Sequence, residues 1–356
     1  MKLALIGGFL GSGKTTSIIE ACTQLIGQGT RVGVVTNDQG DLQVDESFLR
    51  HSGIRTLAVS NGCFCCNYSQ LDTQIAVLQN SISPDIIFAE SVGSCTDLVA
   101  TIAKPFCLKN PAVEVVISIF ADAALLLAMI ENRSSLTDES LRYIYRKQLE
   151  EADLLVINKA DLLRSDEQLK VHRFVQQQYP EKIILLQSAW RATDISHWLE
   201  MTNRFVLAAG RRSLDIDYDR YAEGEAKLAW HDQQIEISAP QKNAVWITSR
   251  LIGSIFDSIQ ESRLTIGHLK FFIATDEGAD KVSFTTGSTS ATIRLQLSER
   301  NTVRLAINAR VQSNPQQLTV IVEDAIMKSR QRYGCHISFG PSTSFSPAYP
   351  RPQHRL

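Results

Sequence analysis

Along the first two hundred residues, short continuous apolar runs alternate with stretches in which apolar residues return every three or four positions. The runs fall at residues 2–6 (KLALI), 31–36 (RVGVVT), 85–89 (DIIFA), 113–119 (VEVVISI), 154–157 (LLVI) and 183–186 (IILL). Runs this short and this uniformly apolar read as strands buried on both faces. Helical patterns separate them at 14–28, 71–80 and 141–152. Strand–helix alternation of this kind predicts a parallel sheet with helices on both faces.

The pattern changes near residue 203. Residues 204–226 are charged and lack a strong period, so they read as a linker between a first domain (1–203) and a second (227–340). Residues 228–238 (LAWHDQQIEIS) alternate like a strand with one exposed face. Strand patterns follow at 268–275, 281–286, 291–297, 302–310 and 335–339, with helical patterns at 245–263 and 318–333. Successive strands flanked by two helices predict a smaller C-terminal α+β domain with an antiparallel sheet. Residues 341–356 carry several prolines and read as an extended tail.

Composition narrows the function classes. Over 356 residues the formal net charge is −2, which offers no basic surface for nucleic acid and no polybasic anchor for a membrane. The most apolar stretch, 112–130, contains Glu114 and Asp122, so it reads as a buried strand running into a helix. With no targeting pattern, a cytoplasmic location is the default. Seven cysteines, unevenly spaced, do not form a secreted disulfide framework.

The chemistry starts at Gly8-Phe9-Leu10-Gly11-Ser12-Gly13-Lys14-Thr15-Thr16, which fits the phosphate-loop pattern in full and lies between a strand and a helix. Glycines let the backbone turn its amides onto phosphate oxygens, and the helix N-terminus adds favourable partial charge. Lys14 is placed for the β- and γ-phosphates, and Thr15 for Mg²⁺. Asn158-Lys159-Ala160-Asp161 follows a strand further on. A carboxylate at Asp161 accepts two hydrogen bonds from guanine and meets an acceptor on adenine, which favours GTP over ATP. Asn158 can reach the far edge of the base, the Lys159 stem can cover its face, and a backbone amide at Ser188 or Ala189 can meet its O6. Glu90-Ser91-Val92-Gly93 offers an acid for a Mg²⁺-bound water and a Gly93 amide for the γ-phosphate, the pattern of a switch loop. Asn37-Asp38-Gln39-Gly40, with Asp41 and Asp45 behind it, stands where a first switch is expected. Asp38 there could serve Mg²⁺, the attacking water or a second metal.

Cys63-Phe64-Cys65-Cys66 lies between these loops in the chain. Three thiolates at this spacing converge on one ion if the chain turns, and Asn61-Gly62 supplies a turn. Soft sulfur suits Zn²⁺ or Cu⁺, with Co²⁺ or Ni²⁺ as alternatives. Only three ligands stand together, which points to an open site completed by water, a carboxylate such as Asp38, or a client. Packing cysteines or a redox-sensing thiol pair are the other readings of the same residues. Cys22, Cys95, Cys107 and Cys335 are scattered and read as core cysteines.

Taken in order, GGFLGSGKTT, NDQG, NGCFCC, ESVG and LLVINKAD make residues 1–200 resemble the CobW-type GTPases. These are the metallochaperone-like branch of P-loop GTPases that includes the urease and hydrogenase nickel-insertion GTPases. The resemblance implies a P-loop NTPase sheet and GTP hydrolysis with Lys14, Asp38 and Glu90 at the reaction. It implies metal binding by Cys63, Cys65 and Cys66, with Asp38, Thr15 and Glu90 also near metal. It implies delivery of zinc or cobalt to a client metalloprotein or cofactor enzyme, and nucleotide-dependent dimerisation. The chain departs from the family in having Asp-Gln where Glu-Phe is usual before Gly40, and in lacking a His-rich segment.

Overall fold

The computed structural model describes residues 1–37, 53–60, 62–134, 136–205, 207, 210–288, 290–291 and 293–356. Asp38, Asp41, Asp45 and Asn61, which carried sequence expectations, lie outside the described residues. Two compact units result. Among the described residues the first takes in the chain up to Gly224 together with Tyr349–Leu356, and the second runs from Glu225 to Ala348.

The first unit is a seven-stranded sheet. In chain order its elements are β1 (Lys2–Gly8), α1 (Lys14–Gly27), β2 (Val32–Asn37), β3 (Thr56–Val59), α2 (Tyr68–Ile82), β4 (Ile86–Glu90), α3 (Lys104–Lys109), β5 (Glu114–Asp122), α4 (Ala123–Ile130), α5 (Glu139–Glu151), β6 (Leu154–Asn158), α6 (Ser165–Gln178), β7 (Ile183–Leu186), α7 (Ala192–Arg204) and α8 (Tyr218–Ala226). The strand order is β3-β2-β4-β1-β5-β6-β7, and every pair is parallel. All seven residues of β1 are buried, as the unbroken apolar run requires of a central strand. Because β4 and β5 flank β1 on opposite sides, successive crossovers leave a crevice at the strands' C-terminal ends. The phosphate loop, the Glu90 loop and the Asn158 loop all open there.

The second unit has β8 (Leu228–Ser238), α9 (Ala244–Glu261), β9 (Ile266–Ala274), β10 (Ala279–Thr285), β11 (Thr302–Gln312), α10 (Pro315–Tyr333) and β12 (His336–Phe345). Its sheet, ordered β10-β9-β11-β8-β12, is antiparallel throughout. Leu251, Ile255, Leu318 and Val322 from the two helices share one core with Ile235, Ile237, Phe271 and Ile307. On alternate strand positions, Asp232 and Arg310 form a buried ion pair at 2.7 Å. Asn308 donates to the same Asp232 oxygen at 2.9 Å, and the Arg310 guanidinium lies 3.8 Å from the Trp230 ring centroid.

Several boundaries differ from the sequence pattern. Residues 218–226 of the expected linker form α8, and Gly224 packs so tightly that a Cβ there would sit 2.8 Å from Ser140 O. The first half of β8 is buried on both faces, where alternation predicted one exposed face. The described residues of 291–297 form no strand; Ile293, Leu295 and Leu297 pack singly on the core instead. The tail is ordered: its first part extends β12, and Tyr349–Leu356 returns to the first unit.

Candidate functional site

The phosphate loop is shaped by three glycines at positive φ: Gly8 at 126°, Gly11 at 76° and Gly13 at 86°. At Gly8 an added Cβ would lie 2.1 Å from Phe120 O, and at Gly13 it would lie 2.3 Å from Asn158 Nδ2. Space and backbone conformation therefore both require glycine. Lys14 Nζ donates to Gly8 O at 2.7 Å and Phe9 O at 3.3 Å, so its ammonium spans the loop that a phosphate would occupy. Thr15 Oγ1 donates to Glu90 Oε1 at 2.9 Å. This hydroxyl–carboxylate pair joins the first turn of α1 to the end of β4, and hard oxygen donors of this kind fit Mg²⁺ beside a bound phosphate.

The base side is built from β6 and β7. Asn158 Nδ2 donates to Ser12 O at 2.9 Å, which locks the Asn158 loop to the phosphate loop. Lys159 takes a left-handed conformation, and its Nζ pairs with Asp122 Oδ2 at 2.8 Å, so the stem is held in one direction. Asp161 is exposed at the mouth of the crevice. The Ser188 amide is engaged by Asp194 Oδ2 at 2.9 Å, which leaves Ala189 as the better placed of the two expected O6 donors.

The three thiols converge as the spacing required. Cys63, Cys65 and Cys66 sulfurs all lie within 4.8 Å of one another. Cys66 N and Asn67 N both donate to Cys63 O, a turn that feeds directly into α2. Asn37 at the end of β2 braces this turn: its Nδ2 donates to Gly62 O at 2.7 Å, and its Oδ1 accepts from Phe64 N at 2.8 Å. The sulfurs are 2.8 Å apart for Cys63–Cys65 and 3.8 Å apart for Cys65–Cys66. Tetrahedral zinc thiolates at a Zn–S distance of about 2.3 Å need sulfurs roughly 3.8 Å apart. One pair already fits, and the other must open by about an ångström. Hydrogen bonds from Cys65, then Cys66, then Cys95 hold Cys63 well below the ordinary thiol range. Its partners move up: Cys65 is raised chiefly by its bond to Cys63, and Cys66 is pushed to about 11 for the same reason. A thiol held low among neighbouring thiols is a starting point for soft-metal capture.

Several contributing residues escaped the sequence reading. Cys95 is fully buried, and its backbone is held between Val92 O and the Gln148 side chain. Gln148, buried on α5, donates from Nε2 to both Gly93 O (3.0 Å) and Cys95 O (2.9 Å), and so fixes the loop after Glu90. Residues 349–356 form a strap across the thiols. Arg351 N donates to Cys66 Sγ at 3.2 Å, Gln353 N to Cys65 O at 2.9 Å, and the His354 ring stacks edge-on against Tyr68. Arg355 Nε then reaches Asp97 Oδ2 at 2.8 Å, and Leu356 N donates to Ala100 O. Asp97 is fully buried, at φ 68°, and burial raises its pKa although Tyr218 and Arg355 both hydrogen-bond to it. The strap thus staples the Cys63–Cys66 turn to the loop that follows Glu90. A Gln in mid-helix and a Pro-rich end carry no motif, so only the folded contacts reveal them. Among the described residues no helix is long and apolar enough to cross a membrane.

Comparison with known proteins agrees with this construction. A zinc chaperone CobW from a Sinorhizobium species is 30% identical over 181 residues, covering 45% of this chain and 51% of that protein. The zinc chaperone YeiR of Escherichia coli is 28% identical over 175 residues, covering 49% and 51%. The chain therefore spans about half the length of these curated relatives. Among solved structures, HypB from Helicobacter pylori in complex with nickel covers 59% of this chain and 91% of its own, at 18% identity and a TM-score of 0.42. Residues 2–186, just over half the sequence, match the family described as CobW/HypB/UreG, nucleotide-binding domain. The chain belongs to that family.

Proposed function

We propose that the chain is a cytoplasmic GTP-hydrolysing metallochaperone, coupling nucleotide state to the holding and release of a transition metal, with Zn²⁺ favoured over Co²⁺. The observation that carries this reading is the sharing of loops. Asn37, at the first switch position, braces the thiol turn, and the loop after Glu90, joined to Thr15 at its start, is stapled to that turn by residues 351–356. A loop that reorders around a γ-phosphate must then disturb the sulfurs. The thiolate-rich donor set and the relatives named zinc chaperones support zinc.

In this reading, Gly11, Ser12, Gly13 and Thr16 cradle the phosphates. Lys14 leaves the Gly8 and Phe9 carbonyls for the β- and γ-oxygens. Thr15 and Glu90 hold Mg²⁺, which neutralises charge on those oxygens when bound. Asp161 reads guanine, and Ala189 meets its O6. Gly93 presents its amide to the γ-phosphate, and Asp38 orients the attacking water or serves the metal. The partners expected are a client metalloprotein or cofactor enzyme and, with nucleotide, a second copy of the chain.

The test is a competition titration of Zn²⁺ against a chromogenic chelator, run with no nucleotide, with GDP and with a non-hydrolysable GTP analogue. A shift in Zn²⁺ affinity of tenfold or more with the analogue is expected, alongside preference for GTP over ATP. Identical curves in all three states would overturn the coupling. The short Cys63–Cys65 approach favours one second reading, a redox-sensing switch. Anaerobic protein that holds no stoichiometric metal and forms one reversible disulfide would establish that reading instead.

A further inference from the structure

We propose that residues 349–356 are a lid on the thiol turn, so that metal enters and leaves Cys63, Cys65 and Cys66 only when this strap peels away. The inference rests on the metal-binding reading of those cysteines and adds a gate that sets how fast the site exchanges.

The accessible side of the cluster is that of Cys66. Cys63 and Cys65 are 3% and 1% exposed, whereas Cys66 is half-buried. The strap lies against this sulfur: the Arg351 amide donates to Cys66 Sγ at 3.2 Å, and the Gln353 amide donates to Cys65 O at 2.9 Å. Along Pro350-Arg351-Pro352-Gln353 the prolines have no N–H to offer. Arg351 and Gln353 carry the only amides of that stretch, and both go to the thiol turn. The Gln353 side chain adds a further hold, its Oε1 accepting from Ser69 N at 2.8 Å. The two prolines also keep a detached strap extended, so little chain entropy is lost each time it closes.

The same strap is built to open. Arg351, Gln353, His354, Arg355 and Leu356 are exposed, so it is seated largely by its backbone and by a latch at its far end. In that latch Arg355 Nε donates to Asp97 Oδ2 and Arg355 Nη2 to Leu214 O, both at 2.8 Å, and Leu356 N donates to Ala100 O at 3.0 Å. A segment with few buried side chains opens locally while the sheet stays folded. Asp97 lies on the loop that follows Glu90, so a nucleotide that moves this loop also works on the latch. A closed strap does not compete with a bound ion, because a coordinated thiolate keeps lone pairs that can accept an amide N–H. The lid therefore closes over a loaded or an empty site and slows entry and exit alike.

Stopped-flow exchange of Zn²⁺ tests this. The full chain is loaded without nucleotide, and release to an excess of chromogenic chelator is timed beside a chain ending at Ala348 and the variant Arg355→Ala. Release is expected to be about tenfold or more faster in the shortened chain and several-fold faster in Arg355→Ala, with Arg355→Lys nearer the wild type. The binding rate should rise with it, so the dissociation constant changes less than either rate. Equal release rates in the wild type and the shortened chain would overturn the proposal. Faster release at an unchanged binding rate would overturn it too, because the strap would then be a brace and not a lid. If the shortened chain does not fold, Arg355→Ala decides alone by the same two rates. A wild-type chain that takes up no Zn²⁺ would instead bring down the metallochaperone reading. The lid is then judged by thiol modification of Cys66, which Arg355→Ala must accelerate if the strap covers that sulfur.

Discussion

The strap offers the sharpest perturbation, because its attachment points are individually known. A chain ending at Ala348 loses the Arg351–Cys66, Gln353–Cys65, Ser69–Gln353 and Leu356–Ala100 bonds, the Arg355 links to Asp97 and Leu214, the Tyr349–Asp219 bond, and the bonds of Lys104 and Ser213 to Leu356 O. Neutral hydrogen bonds return about 1 kcal/mol each, and a bond to a charged group about 2. Ordering eight residues costs about 1 kcal/mol each in backbone entropy and about 1 kcal/mol more for each long side chain. The two totals nearly cancel, so the strap is held by no more than a few kcal/mol and opens locally far more often than the sheet unfolds. Truncation should therefore move the urea unfolding free energy by no more than about 2 kcal/mol. Its large effect should be on Cys66, the thiol whose sulfur the Arg351 amide contacts. Reaction of Cys66 with a chromogenic disulfide reagent, followed by peptide mapping, should accelerate tenfold or more. Arg355→Ala isolates the anchor. Arg355 is 41% exposed, which trims its value, and the variant should lose about 1–2 kcal/mol. That loss should shrink as pH falls through the raised Asp97 pKa, because a charged Asp97 misses the guanidinium more than a neutral one. Unchanged Cys66 kinetics in the truncated chain would refute the reasoning outright.

Three further outcomes follow from single contacts. Gly13→Ala and Gly27→Ala bracket the same helix and should move in opposite directions. The first meets Asn158 Nδ2 at 2.3 Å with φ at 86° and should cost about 2 kcal/mol or more and abolish GDP binding by calorimetry. The second meets nothing within 4 Å at the helix end and should stabilise by about 0.5 kcal/mol in thermal unfolding. Glu151 is fully buried, and burial lifts its carboxyl from 4.5 to about 7 against the Val99 amide bond. The folded state holds a proton that the unfolded state has lost, so stability contributed by this group is present below pH 4.5 and falls away as pH rises through 7. Glu151→Gln should flatten that part of the pH profile, a difference of order 3 kcal/mol between pH 4.5 and pH 8 in denaturant titrations. In the second unit, Asp232→Ala strands the buried Arg310 guanidinium and should cost about 3–5 kcal/mol, whereas a well-packed double replacement of both partners should recover most of it.

What the sequence made legible was whatever has a local period or a fixed spacing. Buried strands such as β1 and β4 announce themselves because a parallel strand must be apolar on both faces. The phosphate loop, Asn158–Asp161 and the three adjacent cysteines are legible because backbone geometry dictates their spacing. Alternation misled at β8, where Trp230, Asp232 and Arg310 make a buried polar layer, because a satisfied buried ion pair looks like an exposed face. The strand expected at 291–297 failed for a related reason: alternate apolar residues suffice to pack an irregular segment on a core without any ladder. Gln148 and the strap were invisible on other grounds. Their meaning lies wholly in which distant residues they touch, and no spacing rule encodes a contact across 250 residues such as Arg355–Asp97.

Those non-local contacts also explain why the thiol turn and the phosphate loop need not touch to be coupled. The thiol turn is braced to the end of β2 through Asn37 and, through residues 351–356, to the loop after β4, which meets the phosphate loop at Glu90 and Gly93. Gln148 and the strap hold that second loop from opposite ends. Under the proposed coupling, a ligand at either site works against the same restraints, and by linkage each would alter the other's affinity by the same factor. Weakening a restraint should weaken the coupling without removing either ligand's contacts. Gln148→Leu, which keeps the volume but frees the Gly93 and Cys95 carbonyls, is expected to leave Zn²⁺ and GDP binding individually measurable. It should also shrink the nucleotide-dependent shift in Zn²⁺ affinity toward one. A Gln148→Leu protein with the full wild-type shift would place the coupling elsewhere in the fold.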